Sequence, residues 1–174
     1  LQQGPPGAAT ADRAVVAVRV GILGGTFDPP HLGHLGVVRE ALASGELDQV
    51  WLIPCLRHAF GKRPAPFEDR LAMCRLLVAD EPAAAVSDIE GEISMPGRTL
   101  ELVRALEVRH PEHDYRLLAG ADIYHERHKW HRYDEIARRA PPLYVARRGV
   151  EPIPEPTLPA PPEVSSTELR RELS

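Results

Sequence analysis

At 174 residues the chain fits one domain of ordinary size, long enough to bury a core without a metal or disulfide staple. A hydrophobic content of 43% and a charged content of 26% are those of a globular protein, and a formal net charge of -4 gives no electrostatic reason to expect a nucleic-acid partner. No apolar run reaches the roughly 18 residues of a membrane span and no basic stretch followed by an apolar one opens the sequence, so no membrane association and a cytoplasmic location are expected.

Residues 1–13 (LQQGPPGAATADR) have nothing to anchor them to a core and read as a flexible N-terminal tail, leaving 14–174 as the folded domain. Ala14 to Leu23 is a β-branched, nearly continuous apolar run, the pattern of a strand buried on both faces. A helix is expected over 31–44, closed by Gly45, and then a strand over 49–53. A helix over 67–80 would place Phe67, Leu71, Cys74, Leu77 and Val78 on one face. A short strand near 84–88, a helix over 99–109, a strand over 115–119, a helical region over 121–139 and a strand over 143–147 complete the series. Regular alternation of strand and helix predicts an α/β domain with a mainly parallel sheet and right-handed crossovers. Ligands of such sheets bind beyond the C-terminal strand ends, which directs attention to the loops after Leu23, Ile53, Ala119 and Val145. Two connections differ in composition: Pro54 to Pro66 is basic, and Glu151 to Pro162 holds six prolines and reads as an irregular connector. Cys55 and Cys74 form no Cys-x-x-Cys pair and read as reduced structural thiols.

Directly after the first strand stands Gly24-Gly25-Thr26-Phe27-Asp28-Pro29-Pro30-His31-Leu32-Gly33-His34. Its glycines allow a tight turn close to a ligand, Asp28 can cap the next helix, and Pro29 or Pro30 suits a first helical position. His31 and His34, spaced i, i+3, would project from one face of the helix start, where two N–H donors can flank a bound anion. A plain βα turn and surface histidines are the alternatives for these residues taken singly. Near the C-terminus, Ser165-Ser166-Thr167-Glu168-Leu169-Arg170 reads locally as a capping box from Ser165 to Glu168. Asp122 and Trp130, in the stretch opened by Gly120-Ala121-Asp122, can be a helix cap and a core aromatic.

The stretch Gly24 to His34 resembles the His-x-Gly-His signature of the nucleotidyltransferase superfamily, and Asp-Pro-Pro-His-x-Gly-His is similar in particular to the nicotinate (or nicotinamide) mononucleotide adenylyltransferases. That resemblance implies a single Rossmann-like, doubly wound domain that moves the adenylyl group of ATP onto a mononucleotide phosphate, releasing pyrophosphate in a step of NAD biosynthesis. His31, His34 and Arg170 would be catalytic. Gly24, Gly25, Thr26, Phe27, Gly120, Asp122, Ser165, Ser166 and Thr167 would bind the nucleotide. Lys62, Thr99, Asp122 and Trp130 would bind the acceptor, although Gly97 and Arg98 replace the residues the family places before that threonine. Arg70 matches the spacing of the helix after the basic loop, or else is a solvated surface charge. Mg²⁺, held mainly through the ATP phosphates, is the implied cofactor. Two other readings remain at this point: another adenylyltransferase of this type, such as one acting on phosphopantetheine, or a non-catalytic nucleotide-sensing module.

His125, His128 and His131, with His110 and His113 nearby, raise the question of a transition metal. Successive i+3 steps drift about 60° around a helix, so the first three read as a solvated histidine-rich helix and no metal site is assigned.

Overall fold

A computed structural model of the protein describes residues 17–57, 63–94, 96–162 and 164–172. The expected tail, residues 1–13, lies outside them. Six strands, β1 (Arg19–Gly25), β2 (Gln49–Pro54), β3 (Ala84–Val86), β4 (Asp114–Gly120), β5 (Pro142–Val145) and β6 (Thr157–Leu158), form one sheet in the order β3-β2-β1-β4-β5-β6. Every pairing is parallel. The helices are α1 (Leu32–Ala43), α2 (Phe67–Leu77), α3 (Thr99–Arg109), α4 (Ala121–Glu126), α5 (Tyr133–Arg139) and α6 (Ser166–Glu172).

Successive residues of the central strands point to opposite faces, so an unbroken apolar run feeds two cores. Leu52 and Leu118 pack with Leu35 and Val38 of α1 and Cys74 of α2. Their neighbours Ile53 and Leu117 pack instead with Val103 and Leu106 of α3 and Ile136 of α5. Helices therefore cover both faces, and the expected doubly wound α/β domain is the observed one. Burial pushes the Cys74 thiol up to about 12, in keeping with an inert core thiol. Cys55, by contrast, lines the cavity described below.

Three expectations need correction. The 121–139 region is not one helix: α4 ends at Glu126, a 3₁₀ turn follows over Arg127–Lys129, and Arg132 enters the left-handed region at φ 55° before α5. The Pro-rich connector is not wholly irregular, because Thr157 and Leu158 pair with Tyr144 and Val145. The first strand begins at Arg19, where the backbone N–H and the guanidinium of Arg19 both meet the Asp48 carboxylate.

Candidate active site

Between β1 and β4 the strand order reverses, and there the connections leave the C-terminal strand ends in opposite directions and open a crevice. A cavity of about 930 Å³ occupies it, within the range of small-molecule sites. The Gly24–His34 loop forms its floor. Phe27 is fully buried at φ 52°, a costly conformation for an aromatic residue that the surroundings must hold in place. Its ring lies against Gly25, where a Cβ would sit 3.2 Å from it and press on the ring.

Asp28 does not cap α1. The Asp28–Pro29 bond is cis, the prolines precede the helix, and His31 is the N-cap. The Asp28 carboxylate instead accepts the Ala65 N–H at 3.3 Å, joining the loop to the segment before α2. The His34 ring lies 3.8 Å from His31 and 4.8 Å from Phe27, centre to centre. Burial, then the charges of His31 and Arg147, pushes His34 down to about 3. Burial and Arg147 lower His31 as well. Both imidazoles are therefore neutral near pH 7. The His31 backbone N–H donates to His34 Nδ1 at 3.1 Å, which puts the single proton of the neutral His34 ring on Nε2 as a donor. Gly33 leaves room for the His31 ring, since a Cβ there would come within 3.0 Å of it.

Two distant segments close the cavity. Ser165 Oγ accepts the Glu168 N–H at 3.1 Å, as a helix cap does, and Ser166 Oγ donates to the Pro29 carbonyl at 2.8 Å. The Arg170 guanidinium donates to the Asp28 carbonyl and, at 3.3 Å, to Thr167 Oγ1. The Ser166 hydroxyl and the Arg170 guanidinium thus dock α6 beside the loop, and the half-exposed Arg170 stands at the cavity wall. Across from it, Asp122 follows Gly120 at the end of β4. Its Oδ2 pairs with Arg147 at 3.3 Å, while its Oδ1 is buried without a partner, an acceptor in need of a donor. Any Cβ on Gly120 would collide with that oxygen at 2.3 Å. Thr99, at the start of α3, and the half-buried Trp130 line the same cavity. Trp130 also packs against the α3–α5 core, edge-on to Tyr133. Thus the structure brings His31, His34, Gly24 to Phe27, Thr99, Gly120, Asp122, Trp130, Ser165 to Thr167 and Arg170 to one crevice. Lys62 lies outside the described residues.

The surface reading of Arg70 is overturned. Its side chain is buried and donates to three backbone carbonyls, those of Ala65 at 2.9 Å, Thr26 at 2.7 Å and Cys55 at 2.8 Å. It ties the cavity-lining residues just past β1 and β2 to the loop before α2. Two residues that the sequence did not single out also matter. Glu90, in the 3₁₀ turn Ile89–Gly91, is buried at the cavity wall and accepts the N–H groups of Gly97 at 2.7 Å and Leu56 at 3.4 Å. Burial raises its carboxyl above the ordinary range, opposed by those two hydrogen bonds. Gly97, at φ 81° with the Arg57 carbonyl 2.8 Å from where its Cβ would be, is held against the loop after β2. Arg147, just beyond β5, supplies the positive charge that reaches Asp122 and both histidines. Its position after a strand end was the available signal; Glu90 offered none.

Residues 22–172 match the family model described as cytidylyltransferase-like. The "Probable nicotinate-nucleotide adenylyltransferase" of Anaeromyxobacter sp. (strain K) is 42% identical over 159 residues, covering 89% of this chain and 83% of its own. The protein of that name from Myxococcus xanthus is 39% identical over 158 residues, covering 88% and 81%. The chain belongs to the nicotinate-nucleotide adenylyltransferase family. Its fold agrees with that of a solved family member, the nicotinic acid mononucleotide adenylyltransferase of Plasmodium falciparum complexed with NaAD, at TM-score 0.76 and 19% identity, covering 90% of this chain and 84% of that one.

Proposed function

We propose that the protein joins ATP and nicotinate mononucleotide, transferring the adenylyl group to the acceptor phosphate and releasing pyrophosphate, with the residues of the crevice as the machinery. The observation that carries the reading is the neutral His34 whose Nδ1 is occupied by the His31 N–H, leaving an Nε2 donor in a crevice that three separate chain segments complete.

An acceptor phosphate is ionised at neutral pH, so one of its oxygens attacks the α-phosphorus in line while the bond to pyrophosphate breaks, and no protein nucleophile or base is required. Catalysis then consists of holding both partners and stabilising charge on the phosphoryl oxygens. His31 and His34 donate to the α-phosphate region, and Arg170 pairs with the outer phosphates. The unpartnered Asp122 Oδ1 accepts from a ribose hydroxyl, and Trp130 with Thr99 receives the pyridine nucleotide. Lys62 would add a positive charge from the basic loop.

Mg²⁺ would be held mainly through the oxygens of the triphosphate and would supply neutralisation of phosphate charge. The carboxylates at the cavity fit that arrangement: Glu90 is taken by two backbone N–H groups, Asp28 by Ala65, and Asp122 by Arg147 on Oδ2, its Oδ1 being the oxygen assigned above to a ribose hydroxyl. The test is pyrophosphate release and dinucleotide formation from ATP with nicotinate mononucleotide, nicotinamide mononucleotide and phosphopantetheine in parallel. A strong preference for the first supports the proposal. Preference for another acceptor reassigns the substrate, and no release with any of them points to a nucleotide sensor.

A further inference from the structure

At the opposite end of the sheet, the turn from α3 into β4 reads His110-Pro111-Glu112-His113. His110 caps the C-terminus of α3, and its carbonyl accepts the His113 N–H at 3.2 Å, closing the turn. The Tyr115 hydroxyl donates to the same carbonyl and to that of Leu106, each at 3.2 Å. This turn is fixed by the fold, and it presents three side chains to one point. Glu112 Oε1 lies 3.5 Å from His113 Nε2 and 3.9 Å from His110 Nδ1, and one ligand atom from each of the three residues falls within 4.8 Å of the others. The remaining nitrogen of His113, Nδ1, is buried with no hydrogen-bond partner. No Lys or Arg is paired with Glu112 in any contact seen among the described residues.

We infer that His110, Glu112 and His113 form a zinc site with two imidazoles and one carboxylate, leaving a fourth position to water. Tetrahedral Zn²⁺ with bonds of about 2.0–2.2 Å needs its ligand atoms roughly 3.3 Å apart, so the observed triangle closes onto the ion through side-chain adjustments of an ångström or so. The same donor set would take Cu²⁺ and Ni²⁺ in vitro. The ion would staple the end of α3 to the start of β4. This site lies far from the crevice and owes nothing to the adenylyl-transfer reading. It departs from the assignment of no metal because the sequence reading weighed the histidines without Glu112. His125, exposed on α4, belongs to a different part of the surface.

The structure also supplies a reporter. Trp51 stands edge-on to both rings, 5.2 Å from His110 and 5.8 Å from His113, and the chain has only 2 tryptophans. In Trp130→Phe protein, where Trp51 is the sole tryptophan, Cu²⁺ should quench the fluorescence in a saturable titration. Calorimetric titration of the nucleotide-free full chain with Zn²⁺ should show one site whose affinity falls at least about tenfold in His113→Ala, His110→Ala and Glu112→Gln, a loss typical even of changes around the ligand shell. Replacing His125, His128 and His131 together by Ala should leave that site intact. Melting curves check that each variant is folded, and Glu112→Gln, which keeps the side-chain shape, serves if a histidine variant is not. No Zn²⁺ uptake by wild type, or uptake unchanged in all three ligand variants, or uptake abolished only by the His125/His128/His131 replacement, would overturn the site.

Discussion

The environment of His34 makes a quantitative statement about stability. Its pKa falls from an unfolded value of about 6.5 to about 3 in the folded protein. The unfolded chain therefore binds the proton first as pH drops, so His34 costs nothing above pH 7 and weakens the fold progressively between pH 6.5 and 3. At pH 5 the folded ring is still neutral while the unfolded one is almost wholly charged. The loss is then set by the 1.5-unit gap to the unfolded pKa, about 2 kcal/mol at 1.36 kcal/mol per unit. His31 titrates in the same direction and is present in both proteins of the comparison. Urea unfolding of wild type and His34→Asn at pH 7.5 and pH 5.0 isolates the effect. Wild type should lose about 2 kcal/mol more than the variant on acidification, a difference of roughly 1 M in urea midpoint. Equal acid sensitivity of the two proteins would refute both the buried neutral imidazole and the tautomer argument built on it.

Arg70→Met removes three charge-assisted bonds and strands three part-buried carbonyls, so a loss of roughly 3–5 kcal/mol is expected, read as a drop in Tm of about 10 °C or more; a drop of only a degree or two would show that the site tolerates solvation. Glu90→Gln keeps an acceptor for Gly97 and Leu56 whereas Glu90→Ala does not, so the acceptor KM should rise about tenfold in Ala alone with the ATP KM steady. Equal effects of the two variants would mean that the charge, and not the positioning of the loops, is what counts. Trp130→Ala should cost about 1–3 kcal/mol in acceptor kcat/KM as stacking losses do, and a melt recorded alongside separates this from loss of its core contacts, which would depress use of both substrates together.

Most of the fold was legible because period and punctuation agree with tertiary structure: α3 runs over Thr99–Arg109 as the pattern gives it, and Gly45 takes the positive φ of 73° that follows α1. The strand ends were legible too, and so the crevice. What escaped depends on partners remote in sequence. Arg70 looks solvated until the carbonyls of Thr26 and Cys55 are brought to it, and Asp28 looks like a cap until Ala65 claims its carboxylate. Glu90 acts through two backbone N–H groups, which have no sequence signature. The break before α5 rests on Arg132 accepting a left-handed φ, which no composition rule singles out.

The Pro-rich connector that returns the chain to α6 is seated on α1, where a Cβ at Gly36 would come within 2.8 Å of Pro161 and Pro162, and one at Gly33 would come within 3.1 Å of the Pro162 carbonyl. Through it Arg170 meets Asp28 across 142 positions of sequence. Closing so long a loop costs conformational entropy, and proline stiffening with a glycine seat lets folding bear that cost once. A nucleotide arriving at the crevice thus finds the C-terminal arm already in place, and its encounter should be limited by diffusion and orientation, without a slow ordering phase in stopped-flow binding.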